Sequence, residues 1–173
     1  MRAAAGDCMF PLAVADDDVI IEHPNREKAS SKATRAIVVL VLLVSIVLML
    51  IVTIGGWDYL QGAKAIQVAY ILVYAVFAYF VVRWNRGVLP VIAAFGTILL
   101  IFAAISGLAW FDRDKEGFAQ PTIDSGVLGV VTWLLVPVQL LLIAFAAQGF
   151  MQAWNVEVER RPERPTRPVP ASA

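Results

Sequence analysis

Histidine and cysteine are almost missing from this sequence, which has one of each, His23 and Cys8. A single cysteine excludes an internal disulfide framework and any metal cluster built on several cysteines. The long apolar segments lack something more informative, because none of them contains Asp, Glu, Lys, Arg or His. Ionisable side chains at membrane depth are the usual mark of proton relays, ion-coupled pumps and voltage sensors. The sequence therefore argues against those classes of membrane protein.

The same absence argues against catalysis within the membrane. A haem needs an axial ligand such as histidine, and intramembrane metalloproteases or aspartyl proteases need histidines or carboxylates. Ser45 and Ser106 lie in apolar segments without a histidine or lysine partner there. We therefore predict a protein that is not an enzyme, with no catalytic residue, no cofactor and no metal site.

Long hydrophobic runs, by contrast, are abundant, and 60% of the chain is hydrophobic. The clearest run is Ala36 to Ile54, nineteen residues of which fifteen are Ile, Leu or Val. As a helix it would be about 28 Å long, close to the thickness of a bilayer core. Three further runs follow, so the sequence predicts an all-α membrane domain over 36–154, a small bundle of four transmembrane helices. The predicted spans are 36–54, 65–82, 88–110 and 126–150. A tryptophan follows or closes each span, as is typical of the membrane interface: Trp57, Trp84, Trp110 and Trp154.

The two ends of the chain are polar. Residues 1–35 are predicted to be a disordered N-terminal arm, and 155–173 a disordered tail rich in Arg and Pro. A helix entering the membrane from 25–35 is the alternative for the end of the arm. In the tail, a polyproline segment that docks on a protein or on anionic lipid is an alternative to a solubilising end.

Lysine and arginine predict the orientation. Ten of them lie near the membrane in the arm, in the loop between the second and third spans, and in the tail, against three on the other side. The positive-inside rule therefore places both termini in the cytoplasm, with the chain in a plasma (inner) membrane. Composition suits a bacterial source. The formal net charge is zero, so no overall field favours nucleic acid.

Uncharged polar residues cluster in the half of the bilayer predicted to be outer. Gln67, Tyr70 and Tyr74 share one helical face of the second span, while Thr132 and Gln139 share one face of the fourth, on either side of Pro137. Ser106, near the outer end of the third span, belongs to the same cluster. These groups either hydrogen-bond between helices or line a small cavity for a neutral or amphiphilic ligand. The sequence leaves both interpretations open.

Packing cues differ between spans. The third contains the small-residue pairs Ala93/Thr97 and Ala103/Gly107, which favour close helix contact. The first is almost entirely large aliphatics, so a central third span and a peripheral first span are expected. The loop from Asp112 begins like a calcium loop but has Ile123 where a bidentate Glu belongs, which favours a solvated charged loop over a cation site.

Two functions fit these features. The first is a non-catalytic accessory or assembly subunit of a larger membrane complex, partnered by the lipid bilayer and by other membrane subunits. The alternative is a homo-oligomeric carrier or channel for a small neutral or amphiphilic ligand, with copies of itself as partners.

Overall fold

The computed structural model describes residues 20–22, 24–113 and 121–160. The chain divides into two compact units, one of 1–22 with 157–173 and the other of 23–156. In the first unit, strand β1 (Ile20–Glu22) pairs antiparallel with β2 (Val158–Arg160), and Ile21 lies opposite Glu159. The predicted disorder of 1–19 and 161–173 concerns parts of the chain outside the described residues.

The second unit is helical. A short helix α1 (Pro24–Glu27) precedes four long helices, α2 (Ala29–Gly55), α3 (Lys64–Val82), α4 (Leu89–Phe111) and α5 (Ser125–Met151). Single 3₁₀ turns at 57–59 and 61–63 lie between α2 and α3, and one at 86–88 lies between α3 and α4. All four long helices are long and apolar enough to cross a membrane. The chain is therefore a multi-pass membrane protein, and the last three predicted spans agree with α3, α4 and α5 to within one residue.

Helix α2 begins at Ala29, earlier than the predicted start of the span at Ala36. Its first turns are polar in sequence, which is why the hydrophobic run does not include them. Ser31 and Thr34 are nevertheless buried, and the amide of Gln152 donates a 2.9 Å hydrogen bond to the Thr34 hydroxyl. Tertiary contact thus extends the helix through a segment that was assigned to the arm.

The expected packing order is reversed in the structure. A larger share of α2 is buried than of any other span, 44% against 22–33%. Helix α2 packs against both α3 and α5, and α5 packs against α2 and α4. One face of α2 carries a buried stripe at spacings of three and four residues: Ser31, Thr34, Val38, Leu42, Ser45, Met49 and Val52. The opposite face of α2 exposes large aliphatic side chains, including Leu40, Val47 and Ile54.

Small residues of α4 bring α4 and α5 close together. Gly96, Ala103 and Gly107 are all buried on α4. A Cβ added at Gly96 would lie 3.3 Å from Ile143 of α5. The predicted pair Ala103/Gly107 is on this face, whereas Thr97 of the other predicted pair is exposed and bonds only the Ala93 carbonyl of its own helix. The close-packed stripe therefore runs through Gly96.

One end of the helical unit, here called the Trp154 end, is closed by a tryptophan pair. Trp154 is completely buried and meets Trp84 edge to face, with ring centroids 5.4 Å apart. The guanidinium of Arg35 lies 4.2 Å from the centroid of the Trp84 ring. Arg26 donates to the Trp154 carbonyl and Asn25 donates to the Ala153 carbonyl. Trp154 is thus a core residue that ties α1 to the end of α5, and not an interfacial anchor exposed to lipid.

Candidate functional site

A cavity of about 430 Å³ lies between α3 and α4 at the other end of the unit, the Trp110 end. The two helices touch deeper down, where Phe95 of α4 meets Tyr70 and Phe77 of α3 edge to face at 5.8 and 5.4 Å. From Phe95 towards Trp110 the helices separate, and side chains of α2 and α5 form the floor between them. Exposed Ile66, Phe102 and Ile105 border the opening, so the cavity faces the outside of the helical unit, where lipid would lie.

The lining of this cavity is mainly apolar, and none of its described residues has a charged side chain. Val52, Leu99, Ala103, Trp110 and Leu135 are buried wall and floor residues. Four polar side chains accompany them, and the sequence analysis had selected all four: Gln67, Tyr70, Ser106 and Thr132. The structure therefore brings together polar residues of three different spans in one cavity.

These four polar side chains differ in which hydrogen-bond donors and acceptors remain available to a ligand. The hydroxyl of Ser106 donates to the Phe102 carbonyl at 2.6 Å, and that of Thr132 donates to the Leu128 carbonyl at 2.7 Å. Both hydroxyls therefore donate their hydrogen within their own helix, and their oxygens can still accept a hydrogen bond. Gln67 and Tyr70 make no side-chain hydrogen bond to the part of the chain that the structure describes. The Gln67 amide and the Tyr70 hydroxyl are thus hydrogen-bond donors available to a ligand in the cavity.

The other two selected residues, Tyr74 and Gln139, lie beneath the cavity. The Tyr74 hydroxyl donates to Oε1 of Gln139 at 3.0 Å, and Nε2 of Gln139 donates to the Ser45 hydroxyl at 2.9 Å. Ser45 in turn donates to the Val41 carbonyl at 2.8 Å. All three side chains are completely inaccessible to solvent. This chain of bonds joins α3, α5 and α2, and it places Tyr74 and Gln139 at the same depth.

Ser45 is the member of this network that sequence reasoning missed. It is the only polar residue in the middle of the first span, and that isolation is the signal that would have found it. Pro137, which lies between Thr132 and Gln139 in the sequence, is exposed and does not line the cavity. Helix α5 is continuous through Pro137.

Below the Tyr74 layer the interior is filled. Leu142 and Ala146 of α5, Leu89 of α4 and Val81 of α3 are buried with almost no accessible surface, and Trp154 completes the packing. In the described part of the helical unit the cavity therefore ends at the hydrogen-bonded layer. It is a recess entered from one end and one side.

A second recess of about 300 Å³ adjoins the cavity at the Trp110 end. The two share Leu60, Ala63, Ser106, Ala109 and Trp110, so they lie next to each other. The second recess adds Tyr59 and Arg113 to the lining. Polarity thus increases from the buried floor towards the mouth.

The loop that resembled a calcium loop supplies no described metal site. Residues 114–120 lie outside the described residues, so the cation alternative is not tested. Asp124, at the end of this loop, accepts from the backbone N–H of Gly126 at 2.9 Å and of Val127 at 3.3 Å. It is the N-cap of α5, a role that a carboxylate performs well at a helix start.

Comparisons with protein-family models, with curated proteins and with solved structures found no match for the chain.

Proposed function

We propose that this is a non-catalytic membrane protein that binds a neutral or amphiphilic ligand in the α3–α4 cavity. The observation that carries the proposal is the open cavity itself, with the Gln67 amide and the Tyr70 hydroxyl unpartnered by described residues. Its volume of about 430 Å³ is within the range of small-molecule sites, which are typically apolar with a few polar groups that orient the ligand. Polar groups at membrane depth are costly without partners, so a ligand that supplies those partners gains affinity.

Binding is better supported than conduction through a pore. A channel through one copy would need a polar path, whereas the space beneath the cavity is packed from Tyr74 to Trp154. A carrier would need a second conformation that opens the Trp154 end. The cavity is formed within a single copy of the chain, so the ligand site requires no homo-oligomer.

An accessory or assembly subunit of a larger complex is the second candidate. The observation in its favour is the exposed aliphatic face of α2, which includes Leu40, Leu43, Val47 and Ile54 and would contact lipid or a partner helix. The expected peripheral position of the first span had also favoured this candidate. That expectation is wrong, because α2 is the most buried span. Native mass measurement after gentle extraction tests this candidate, since co-migration with a larger complex is its direct consequence.

We further propose that the four spans form a bundle with both termini in the cytoplasm of a bacterial cell, in the plasma membrane. Support comes from the sequence, in which ten basic residues flank the span ends predicted to be cytoplasmic and three flank the opposite ends. In this orientation the cavity opens towards the outer leaflet.

A photoactivatable alcohol tests the ligand site. Hexadecanol with a diazirine in its chain is added to the protein in phosphatidylcholine nanodiscs, illuminated, and the labelled residues are mapped by mass spectrometry. We expect label on Tyr70, Phe102 and Ser106, and its loss in Ala109→Trp, which fills the cavity from an exposed wall position.

Ala94→Trp is the matched control, because Ala94 is also exposed on α4 but does not line the cavity. The control should label as the wild type does. Label spread evenly over the exposed faces of the four spans, and unchanged by Ala109→Trp, would contradict the proposal.

A further inference from the structure

We propose that the ligand is an amphiphile with an alkyl chain and an anionic head group, and that Arg113 binds the head group. This inference rests on the ligand site proposed above and specifies its chemistry. The chain would occupy the cavity between α3 and α4, and the head group would occupy the adjoining recess at the Trp110 end.

The length of the cavity fits an alkyl chain. Along α4 the lining extends from Trp110 to Leu99, a rise of about 16 Å. This is roughly half of the hydrocarbon core of a bilayer, the depth of one leaflet. The described lining is mainly apolar over this length, as contact with an alkyl chain requires.

The mouth of the cavity carries a cation that lies beside two aromatic rings. The guanidinium of Arg113 lies 5.5 Å from the centroid of the Trp110 ring and 5.9 Å from that of the Tyr59 ring. Cation–π contact with two aromatic side chains restricts the guanidinium, and Trp110 is itself buried and lines both spaces. The rings thus hold Arg113 at the point where the apolar cavity ends.

The recess favours an anion over a neutral head group. Arg113 is the only charged side chain in the described lining of the recess, and none of the described lining residues is a carboxylate. Planar guanidinium donors match the oxygens of a carboxylate or phosphate in pairs, and such charge-assisted bonds are stronger than neutral ones. The hydroxyls of Tyr59 and Ser106 lie in the same lining.

The basic residue Lys64 on the same side provides a contrast. Its ammonium lies 4.8 Å from the Trp57 ring centroid, and Lys64 lines neither the cavity nor the adjoining recess. If a cation anywhere on this side were enough to bind the anionic head group, Lys64 and Arg113 would contribute equally to the preference for an anion. If the recess matters, only Arg113 selects the ligand.

Two photoactivatable probes with the same diazirine-bearing chain test this, hexadecyl phosphate and hexadecanol, in phosphatidylcholine nanodiscs. We expect the wild type to be half-labelled at about a tenfold lower concentration of the phosphate than of the alcohol, which corresponds to about 1.4 kcal/mol. The preference should disappear in Arg113→Gln and remain in Lys64→Gln. Arg113→Lys should keep part of it, since the charge remains but the paired donors are lost.

Each other outcome identifies what has failed. Equal labelling of the cavity by both probes, or an equal loss of preference in Lys64→Gln, would overturn the anionic head group and leave the ligand site standing. Absence of cavity labelling with both probes would overturn the ligand site as well. Circular dichroism and thermal unfolding of Arg113→Gln in the same nanodiscs show whether the variant is folded, and Arg113→Lys gives a second reading of the same position.

Discussion

The indole of Trp133 on α5 lies directly against Gly107 of α4, and no side chain would fit between them. A Cβ added to Gly107 would overlap Cδ1 of the indole and come within 2.8 Å of its Nε1. The contact lies one helical turn from Ala103 in the buried stripe of α4. It accounts for the close approach of α4 and α5, while α3 and α4 separate around the cavity.

Gly107→Ala is therefore expected to lower the free energy of unfolding in detergent by about 1–3 kcal/mol, because the indole or the helix must move. Gly96→Ala should cost less, since its new Cβ would be 3.3 Å from Ile143 and needs only a small adjustment. Gly62→Ala is the control, because nothing lies within 4 Å of that position. Equal effects of the Gly107 and Gly62 changes would contradict the close packing described here.

The bond between Tyr74 and Gln139 should be measurable as a coupling between the two residues. A double-mutant cycle of Tyr74→Phe and Gln139→Leu is expected to give about 0.6–1.7 kcal/mol, the range found for hydrogen bonds between membrane helices. Neither residue lines the cavity, so photolabelling of folded protein should be unchanged in both single variants. A coupling near zero would show that the two side chains are not bonded in the membrane.

Ala153 has a positive φ of 48°, a backbone conformation that costs a non-glycine residue about 1 kcal/mol. Ala153→Gly is therefore expected to raise the unfolding free energy by roughly 0.5–1 kcal/mol. The same exchange at exposed Ala94, inside α4, should lower it by about 0.5–1 kcal/mol through backbone entropy. Two changes of the same sign would argue against the left-handed turn at Ala153.

The orientation predicts which cysteines react with a membrane-impermeant maleimide in intact cells. Cys8, the only native cysteine, is expected to be protected until the membrane is opened, since the N-terminus is proposed to be cytoplasmic. In a Cys8→Ser background, Gly62→Cys should react from outside, because position 62 is exposed and unobstructed. The reverse pattern would invert the proposed topology and place the cavity in the inner leaflet.

The long hydrophobic runs determined the number and position of the spans. Length and polarity are local properties that a bilayer tests segment by segment, so α3, α4 and α5 agree with prediction to within one residue. The one large difference, the start of α2 at Ala29, arises where polar residues are buried by tertiary contact, as Thr34 is against Gln152.

Helical spacing also selected the polar residues that matter, namely Gln67, Tyr70, Ser106, Thr132 and the bonded pair Tyr74 and Gln139. Spacing places side chains on a face of their own helix, but it does not say which neighbouring helix that face meets. The tertiary structure decided that four of them line a cavity and that the pair joins Ser45 beneath it.

Which helix is central was likewise beyond the sequence. In a soluble protein a buried face is apolar and an exposed face is polar, but lipid is as apolar as a leucine core, so apart from the buried Ser45 and Thr53 both faces of the hydrophobic part of α2 look alike in composition. Small gaps and single hydrogen bonds, such as Gly107 under Trp133 and Ser45 beside Gln139, then decide the packing. The sequence by itself determined that the chain has four helices long and apolar enough to cross a membrane, and only the tertiary structure decided where those helices leave an open cavity.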